Sequence, residues 1–359
     1  MAAAKKIKVL IIDDSALMRQ IITAILHEDP DMHVVGTAAN PLIAREKIKT
    51  LKPDVLTLDV EMPGMDGITF LEKLMRLHPL PVVMVSTHTE KGAATTLRAL
   101  ELGAVDFVTK PHGGLRDGIR PEVMEEIRAK VRAAAGAHVR TVKPEEISAL
   151  PPLSIRSLFC REGIIVMGAS AGGTQAITEI LTRLPPQTPG IAIVQHMPPK
   201  FTASFAERLN DHCQLEVREA KSGDRLKTGT VLIAPGGQQM ALMRAGGGYA
   251  VRVYDDEPVN RHRPSVDVLF DSAARIVGAQ ALGIILTGMG SDGARGLRAM
   301  KNAGAYTIAQ DEKSSVVFGM PEQAIRHGAA CQVLSLERIP EYLMEWANSG
   351  EQSEKRFLT

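Results

Sequence analysis

The sequence has almost no net charge: 42 Lys and Arg stand against 41 Asp and Glu in 359 residues, a formal balance of +1. Such a chain has no whole-molecule field to hold nucleic acid or an anionic membrane, so any basic contact is local. Cysteine is scarce as well. Cys160, Cys213 and Cys331 are odd in number, far apart and without metal-ligand spacing, which excludes a disulfide framework and a thiolate metal site and fits reduced thiols. Long hydrophobic runs are missing. The opening "MAAAKKIKVLIIDD" is a short strand-like run closed by two aspartates, neither a signal peptide nor a spanning helix, so a cytoplasmic location is expected. There is no tandem repeat, coiled coil or low-complexity tract, and no recognition helix or sustained basic patch for a nucleic-acid partner.

What is present is one rhythm, played twice. From Lys6 to about Ala135, short apolar runs ("KVLII", "VLTLDV", "VVMVS", "DFVTKP") alternate with amphipathic stretches such as "ALMRQIITAILHED". That alternation predicts an α/β unit, a parallel sheet with helices on both faces. The period lapses in a proline-containing stretch and returns from Gly163 as "GIIVMG", "GIAIVQH", "GTVLIAP", "ALGIILTG" and "AYTIAQ". The expected organisation is two domains, residues 5–136 and 161–348, joined by a linker at 137–160 and followed by a tail at 349–359. "QQMALMRAGGGYAVRVYDDE" reads as an antiparallel hairpin inside the second domain.

In the first domain Asp13 and Asp14 close one strand and Asp59 closes another, so a parallel sheet projects all three from the same edge. Three carboxylates repel one another until a hard cation such as Mg²⁺ neutralises them. Lys110 and Ser86, at two further strand ends, add an ammonium and a hydroxyl. The set suits phosphoryl transfer to a carboxylate, with Asp59 the acceptor because Asp13 and Asp14 are needed as metal ligands. Any one of these aspartates alone would be an ordinary turn residue.

In the second domain "VMGASAGGTQ" follows a strand. Read as a dinucleotide fingerprint it fails twice, because Ser170 stands where a bare glycine is needed and the next strand ends in Gln195 and His196 instead of an acid. Read as G-x-S-x-G, it presents Ser170 on a tight strand-to-helix turn. His196 and Asp292 fall at the ends of two other strands, so serine, imidazole and carboxylate converge on one edge. His196 would take the serine proton, Asp292 would fix its tautomer, and backbone N–H groups near Ala171 or Met289 would hold the oxyanion. Singly, Ser170 and Asp292 also fit helix caps and His196 a turn. A domain that only binds a small anion or a partner helix stays open at this point.

The ordered set "DD", "DVEMPGMDG", "MVS" and "DFVTKP" resembles the receiver domain of bacterial response regulators. That resemblance implies a flavodoxin-like fold and phosphorylation of Asp59 by a histidine kinase. It also implies Mg²⁺ held by Asp14 and Asp59 with help from Asp13, and a switch in which Ser86, or its neighbour Thr87, moves to the phosphoryl group while Phe107 repacks. "GASAGG", "VQHMPPKFTASFAERL", "NRHRPSVDVLF", "ILTGMGSDGARG" and "SVVFGMP" resemble the catalytic domain of chemotaxis protein-glutamate methylesterases, response regulators with this domain order. The second resemblance implies a doubly wound, mostly parallel, Rossmann-like serine hydrolase domain with Ser170 as nucleophile, His196 as base and Asp292 as its partner. It implies hydrolysis of γ-glutamyl methyl esters on cytoplasmic chemoreceptor helices, deamidation of glutamines there, no cofactor for the hydrolysis and no insertion into the membrane. Ala171 stands where such proteins often carry threonine, which leaves only the backbone N–H of that position. Arg261 and Arg263 are candidates to face the acidic receptor helices.

Overall fold

β-Branched and leucine-rich runs form strands, and the capped amphipathic stretches between them form helices, in both halves of the chain. The computed structural model describes residues 6–87, 89–111, 119–139 and 163–348. Most of the expected linker, residues 140–160, and the tail at 349–359 lie outside the described residues. The chain divides into two compact units at residues 142 and 143.

The first unit runs β1 (Ile7–Ile12), α1 (Ala16–His27), β2 (Met32–Ala38), α2 (Pro41–Leu51), β3 (Val55–Asp59), α3 (Gly67–Leu77), β4 (Val82–Ser86), α4 (Glu90–Glu101), β5 (Asp106–Thr109) and α5 (Pro121–Ala135). Helix starts follow local chemistry: Ser15, Asn40 and Asp66 each accept a backbone N–H of the turn they open. The five strands pair in parallel in the order β2-β1-β3-β4-β5. The chain leaves β1 for β2 on one side and β3 on the other. A crevice therefore opens at the carboxyl ends of β1 and β3, where no helix crosses. This is the flavodoxin-like order.

The second unit begins β6 (Ile164–Ala169), α6 (Gly173–Leu181), β7 (Ile191–Gln195), α7 (Phe201–His212), β8 (Glu216–Glu219), β9 (Arg225–Leu226) and β10 (Thr230–Ile233). It continues β11 (Gln239–Ala245), β12 (Gly248–Tyr254), α8 (Val266–Ile276), β13 (Ala281–Ile285), α9 (Ala294–Asn302), β14 (Tyr306–Gln310), α10 (Met320–Arg326), β15 (Gln332–Leu334) and α11 (Ile339–Asn348). Seven strands form a parallel sheet in the order β15-β14-β13-β6-β7-β10-β8. Every residue of β6 is buried, the mark of a central parallel strand covered on both faces. The expected hairpin is the antiparallel β11–β12 pair, extended by β9 into a separate three-stranded sheet. Val166, Val194, Phe270, Leu297 and Met300 are among the residues that pack sheet and helices into one core. Strand order reverses at β6, with β7 on one side and β13 on the other, so the crevice lies at the carboxyl ends of these three strands. No described helix is long and apolar enough to cross a membrane.

Candidate active site and acidic cluster

The turn after β6 is built so that Ser170 sits at the sheet edge in front of α6. Its own N–H is spent on the Thr287 carbonyl at 3.0 Å, and its carbonyl accepts from Gly173 N and, at 2.9 Å, from Gln195 Nε2. Gly172 has φ 74°, the left-handed region, and a Cβ there would stand 2.6 Å from Val316 Cβ. Thr287 braces the other side of the turn, donating its hydroxyl to the Ala171 carbonyl at 2.9 Å. The backbone of Ser170 is thus fully committed, and the side chain is half-buried at the crevice.

The loop after β13 passes against this turn, since a Cβ on Gly288 would be 2.8 Å from Ser170 Cβ. The N–H groups of Ala171 and Met289, the two sequence-derived oxyanion candidates, make no hydrogen bond among the described residues. The same loop carries Asp292, which is buried and bonded to His196 Nε2 at 2.8 Å through Oδ2. His196 Nδ1 is buried and makes no hydrogen bond among the described residues. With Nε2 on the carboxylate, Nδ1 is the nitrogen left to exchange a proton. The crevice therefore gathers Ser170, His196 and Asp292 from three strand ends, as their spacing predicts.

Asp292 has more partners than the sequence suggests. Its oxygens also accept from Val266 N at 2.7 Å, Ser265 Oγ at 2.8 Å, Asn260 Nδ2 at 2.7 Å and Asp267 N at 3.3 Å. It sits across the N-terminus of α8, where free N–H groups and the helix dipole favour an anion. Burial alone would push the carboxyl up, yet the hydrogen bonds from His196, Asn260 and Ser265 outweigh it and hold the group well below the usual carboxylate range. A group depressed in the folded state stabilises fully above its unfolded value of 3.8 and loses that contribution only as pH falls towards the folded one. Asp292 is therefore an anion wherever the protein is folded near neutrality.

Sequence reasoning missed Asn260, His262, Ser265 and Gln195 as parts of the site. Arg261 and Arg263, which it chose from the same "NRHRPSVD" segment, are exposed, and Arg263 Nη1 reaches the Asp256 carbonyl at 2.9 Å. They flank the crevice without entering the hydrogen-bond network around Asp292.

In the first unit the acidic cluster assembles as expected: oxygens of Asp13, Asp14 and Asp59 lie within 4.8 Å of one another. Asp13 and Asp59 are buried and Asp14 is exposed. Lys110 Nζ is 2.8 Å from Asp59 Oδ2 and 3.7 Å from Asp13 Oδ2. Ser86 ends β4 and is buried, accepting from Thr96 Oγ1 at 2.7 Å, whereas Thr87 Oγ1 faces Thr89. Phe107 is buried on β5, with Lys130 Nζ on its carbonyl at 2.7 Å.

The donor set fits a hard divalent cation. Three carboxylates share the crevice, and Asp13 Oδ2 is buried without a hydrogen bond among the described residues. Burial and then the Asp59 charge raise the Asp13 pKa from 3.8 to about 6. Between those values the folded state holds the extra proton, so stability falls as pH rises through this window. A cation that needs ionised Asp13 should stabilise least at acid pH. Magnesium should raise the thermal midpoint of this unit markedly at about pH 7.5 and little at about pH 5, and Asp13→Asn should flatten the difference. Equal Mg²⁺ increments at both pH values would sink the assignment.

Both units have counterparts among known proteins. Residues 165–343 match the family profile described as CheB methylesterase, and residues 9–116 match that of the response regulator receiver domain. A Bordetella avium protein named protein-glutamate methylesterase/protein-glutamine glutaminase 2 is 57% identical over 341 residues, which cover 95% of this chain and 97% of that one. A Salmonella typhimurium relative named protein-glutamate methylesterase/protein-glutamine glutaminase is 54% identical, covering 96% of this chain and 98% of its own. The crystal structure of the Thermotoga maritima CheB methylesterase catalytic domain is similar at 41% identity and a TM-score of 0.50, covering 51% of this chain and 97% of that one.

Proposed function

Because the chain belongs to the CheB family of receiver-linked protein-glutamate methylesterases/protein-glutamine glutaminases, and so is a carboxylic ester hydrolase, we propose the following substrate, site and control. The enzyme hydrolyses γ-glutamyl methyl esters on the cytoplasmic helices of chemoreceptors to glutamate and methanol. It deamidates receptor glutamines at the same site, and phosphorylation of Asp59 by a chemotaxis histidine kinase raises its rate. The observation that carries this reading is the His196–Asp292 hydrogen bond meeting the Ser170 turn at one sheet edge.

Ser170 Oγ attacks the ester carbonyl carbon while His196 Nδ1 takes the hydroxyl proton. The negative charge on the former carbonyl oxygen is met by the N–H groups of Ala171 and Met289. Asp292, held ionised by its donors, keeps the other proton on Nε2 and stabilises the imidazolium. His196 returns its proton to the departing methoxide, methanol leaves, and an acyl-enzyme remains. Water, deprotonated by His196, then releases glutamate and regenerates Ser170. A primary amide shares the acyl carbon and differs in its leaving group, ammonia, so one site serves both reactions. Arg261 and Arg263, both exposed, would meet acidic residues of a receptor helix.

In the receiver, Mg²⁺ at Asp13, Asp14 and Asp59 would offset charge on the incoming phosphoryl group. Lys110 already pairs with Asp59, and Ser86 is the hydroxyl at the end of β4.

The test is methanol release from methylated receptor fragments by the full chain, with and without a small-molecule phosphodonor and Mg²⁺. A phosphodonor should raise the rate by roughly 5- to 150-fold, a coupling of about 1–3 kcal/mol, and Asp59→Asn should remove that rise. An unchanged rate in a chain shown to be phosphorylated on Asp59 would overturn the regulatory part of the reading.

A further inference from the structure

The segment between β12 and α8 holds two residues that touch the acid–base pair, and neither exchanges a proton in the mechanism above. Val259 and His262 close a turn on each other: Val259 N donates to His262 O at 3.1 Å and His262 N to Val259 O at 2.9 Å. Between them Asn260 and Arg261 have φ values of 52° and 68°. Two central residues at positive φ define the tight mirror-image turn that glycine usually supplies. Asparagine tolerates such angles, but an arginine holds them only where the surroundings fix the turn.

The surroundings here are the catalytic residues. Asn260 Nδ2 donates to Asp292 Oδ1 at 2.7 Å and to Asp267 Oδ2 at 2.8 Å, so one amide bridges two buried carboxylates. Asp267 Oδ1 in turn accepts Gly296 N of α9 at 2.6 Å, which ties the bridge to a second helix. Two residues further on, the His262 ring lies flat against the His196 ring, with centroids 3.7 Å apart and planes 8° from parallel.

These contacts answer a geometric need. The Cβ–Cγ bond and the hydrogen bond from Nε2 to Asp292 hold two points of the His196 ring and leave its plane able to swing about the line joining them. Such a swing would carry Nδ1 away from the serine. A flat plate at 3.7 Å blocks the swing. Asn260 does the matching task for Asp292, holding the carboxylate plane by its second oxygen.

We propose that the Val259–His262 turn is a positioning device for the acid–base pair, with Asn260 aligning Asp292 and His262 aligning His196. The proposal rests on the reading of Ser170, His196 and Asp292 given above.

The experiment measures kcat and KM for methanol release by the full chain in four variants. His262→Ala should lower kcat by about 10- to 100-fold with KM within about twofold, because misplacement of a reacting group acts on the chemical step. His262→Phe keeps a flat aromatic face and should restore most of that loss. Asn260→Asp keeps the size but sets a third carboxylate against Asp292 and Asp267, and should lower kcat by about 100-fold. It should also move the downfield N–H resonance of His196. The double variant His262→Ala with Asn260→Asp should lose less than the product of the two, since both act through one pair.

An unchanged kcat in His262→Ala or Asn260→Asp overturns the proposal, as does a loss confined to KM. So does His262→Phe as slow as the alanine variant, for the imidazole would then be handling a proton itself. Where the alanine variant fails to fold, the phenylalanine and aspartate variants remain decisive. Ser170→Ala is run in parallel. Release that survives it overturns the triad reading, whereas an inactive Ser170→Ala beside unaffected turn variants overturns only the positioning role.

Discussion

Ser170→Ala should lower the rate of ester hydrolysis by on the order of 10⁴- to 10⁶-fold, to whatever the oxyanion donors and binding alone provide. The magnitude follows from what the residue does not share. Its backbone N–H and carbonyl are already bound to Thr287, Gly173 and Gln195, so the alanine variant keeps the turn and loses only the hydroxyl. Its fold should persist, with an unchanged circular dichroism spectrum and thermal midpoint. A fluorophosphonate should label the wild type at Ser170 and leave the variant unlabelled. A variant that still turns over within tenfold of wild type would remove Ser170 from the mechanism.

Asp292→Asn should cost about 10⁴-fold in kcat, because the amide offers one acceptor oxygen and favours the wrong imidazole tautomer. It should also cost stability, and there the argument is local. Asp292 receives hydrogen bonds from His196, Val266, Asn260, Ser265 and Asp267, all to its two oxygens. An asparagine NH₂ in place of either oxygen faces donors, and each buried donor left without an acceptor costs about 1–3 kcal/mol. If NH₂ replaces Oδ2, Val266 N and the imidazole lose their acceptor; if it replaces Oδ1, Asn260, Ser265 and Asp267 N do. The variant should therefore unfold at lower urea than wild type and be slow at neutral pH. Equal stability in the two proteins would mean that the carboxylate is not the cap of α8. A kcat within tenfold of wild type at neutral pH would mean that it is not the partner of His196.

Much of this was readable without coordinates. The two α/β rhythms imply parallel sheets, parallel sheets put strand ends on one edge, and the edge residues then name themselves: Asp13 and Asp59 in one unit, Ser170, His196 and Asp292 in the other. The alternative of a domain that only binds gave way to family membership. What stayed hidden was whatever depends on a loop crossing back over the edge. Nothing in the spacing of Asn260 places its amide between Asp292 and Asp267, and the stacking of His262 on His196 joins residues 66 positions apart. The same segment offered two arginines, and charge drew attention away from the uncharged amide and the imidazole beside them. The one local signal was an Asn in a polar loop just before a helix, and such residues are too common at helix entries to single it out.

The network around Asp292 also sets when the crevice can be completed during synthesis. Ribosomes deliver the chain from the amino end, and domains generally fold as they emerge. Ser170 and His196 appear early in the second unit, but Asp292 leaves the ribosome almost a hundred residues after His196, and its strand, β13, is the one that completes the crevice. Until then α8 has no anion at its start and the imidazole has no partner. A half-made chain is thus a receiver joined to a second unit whose His196 still lacks its carboxylate.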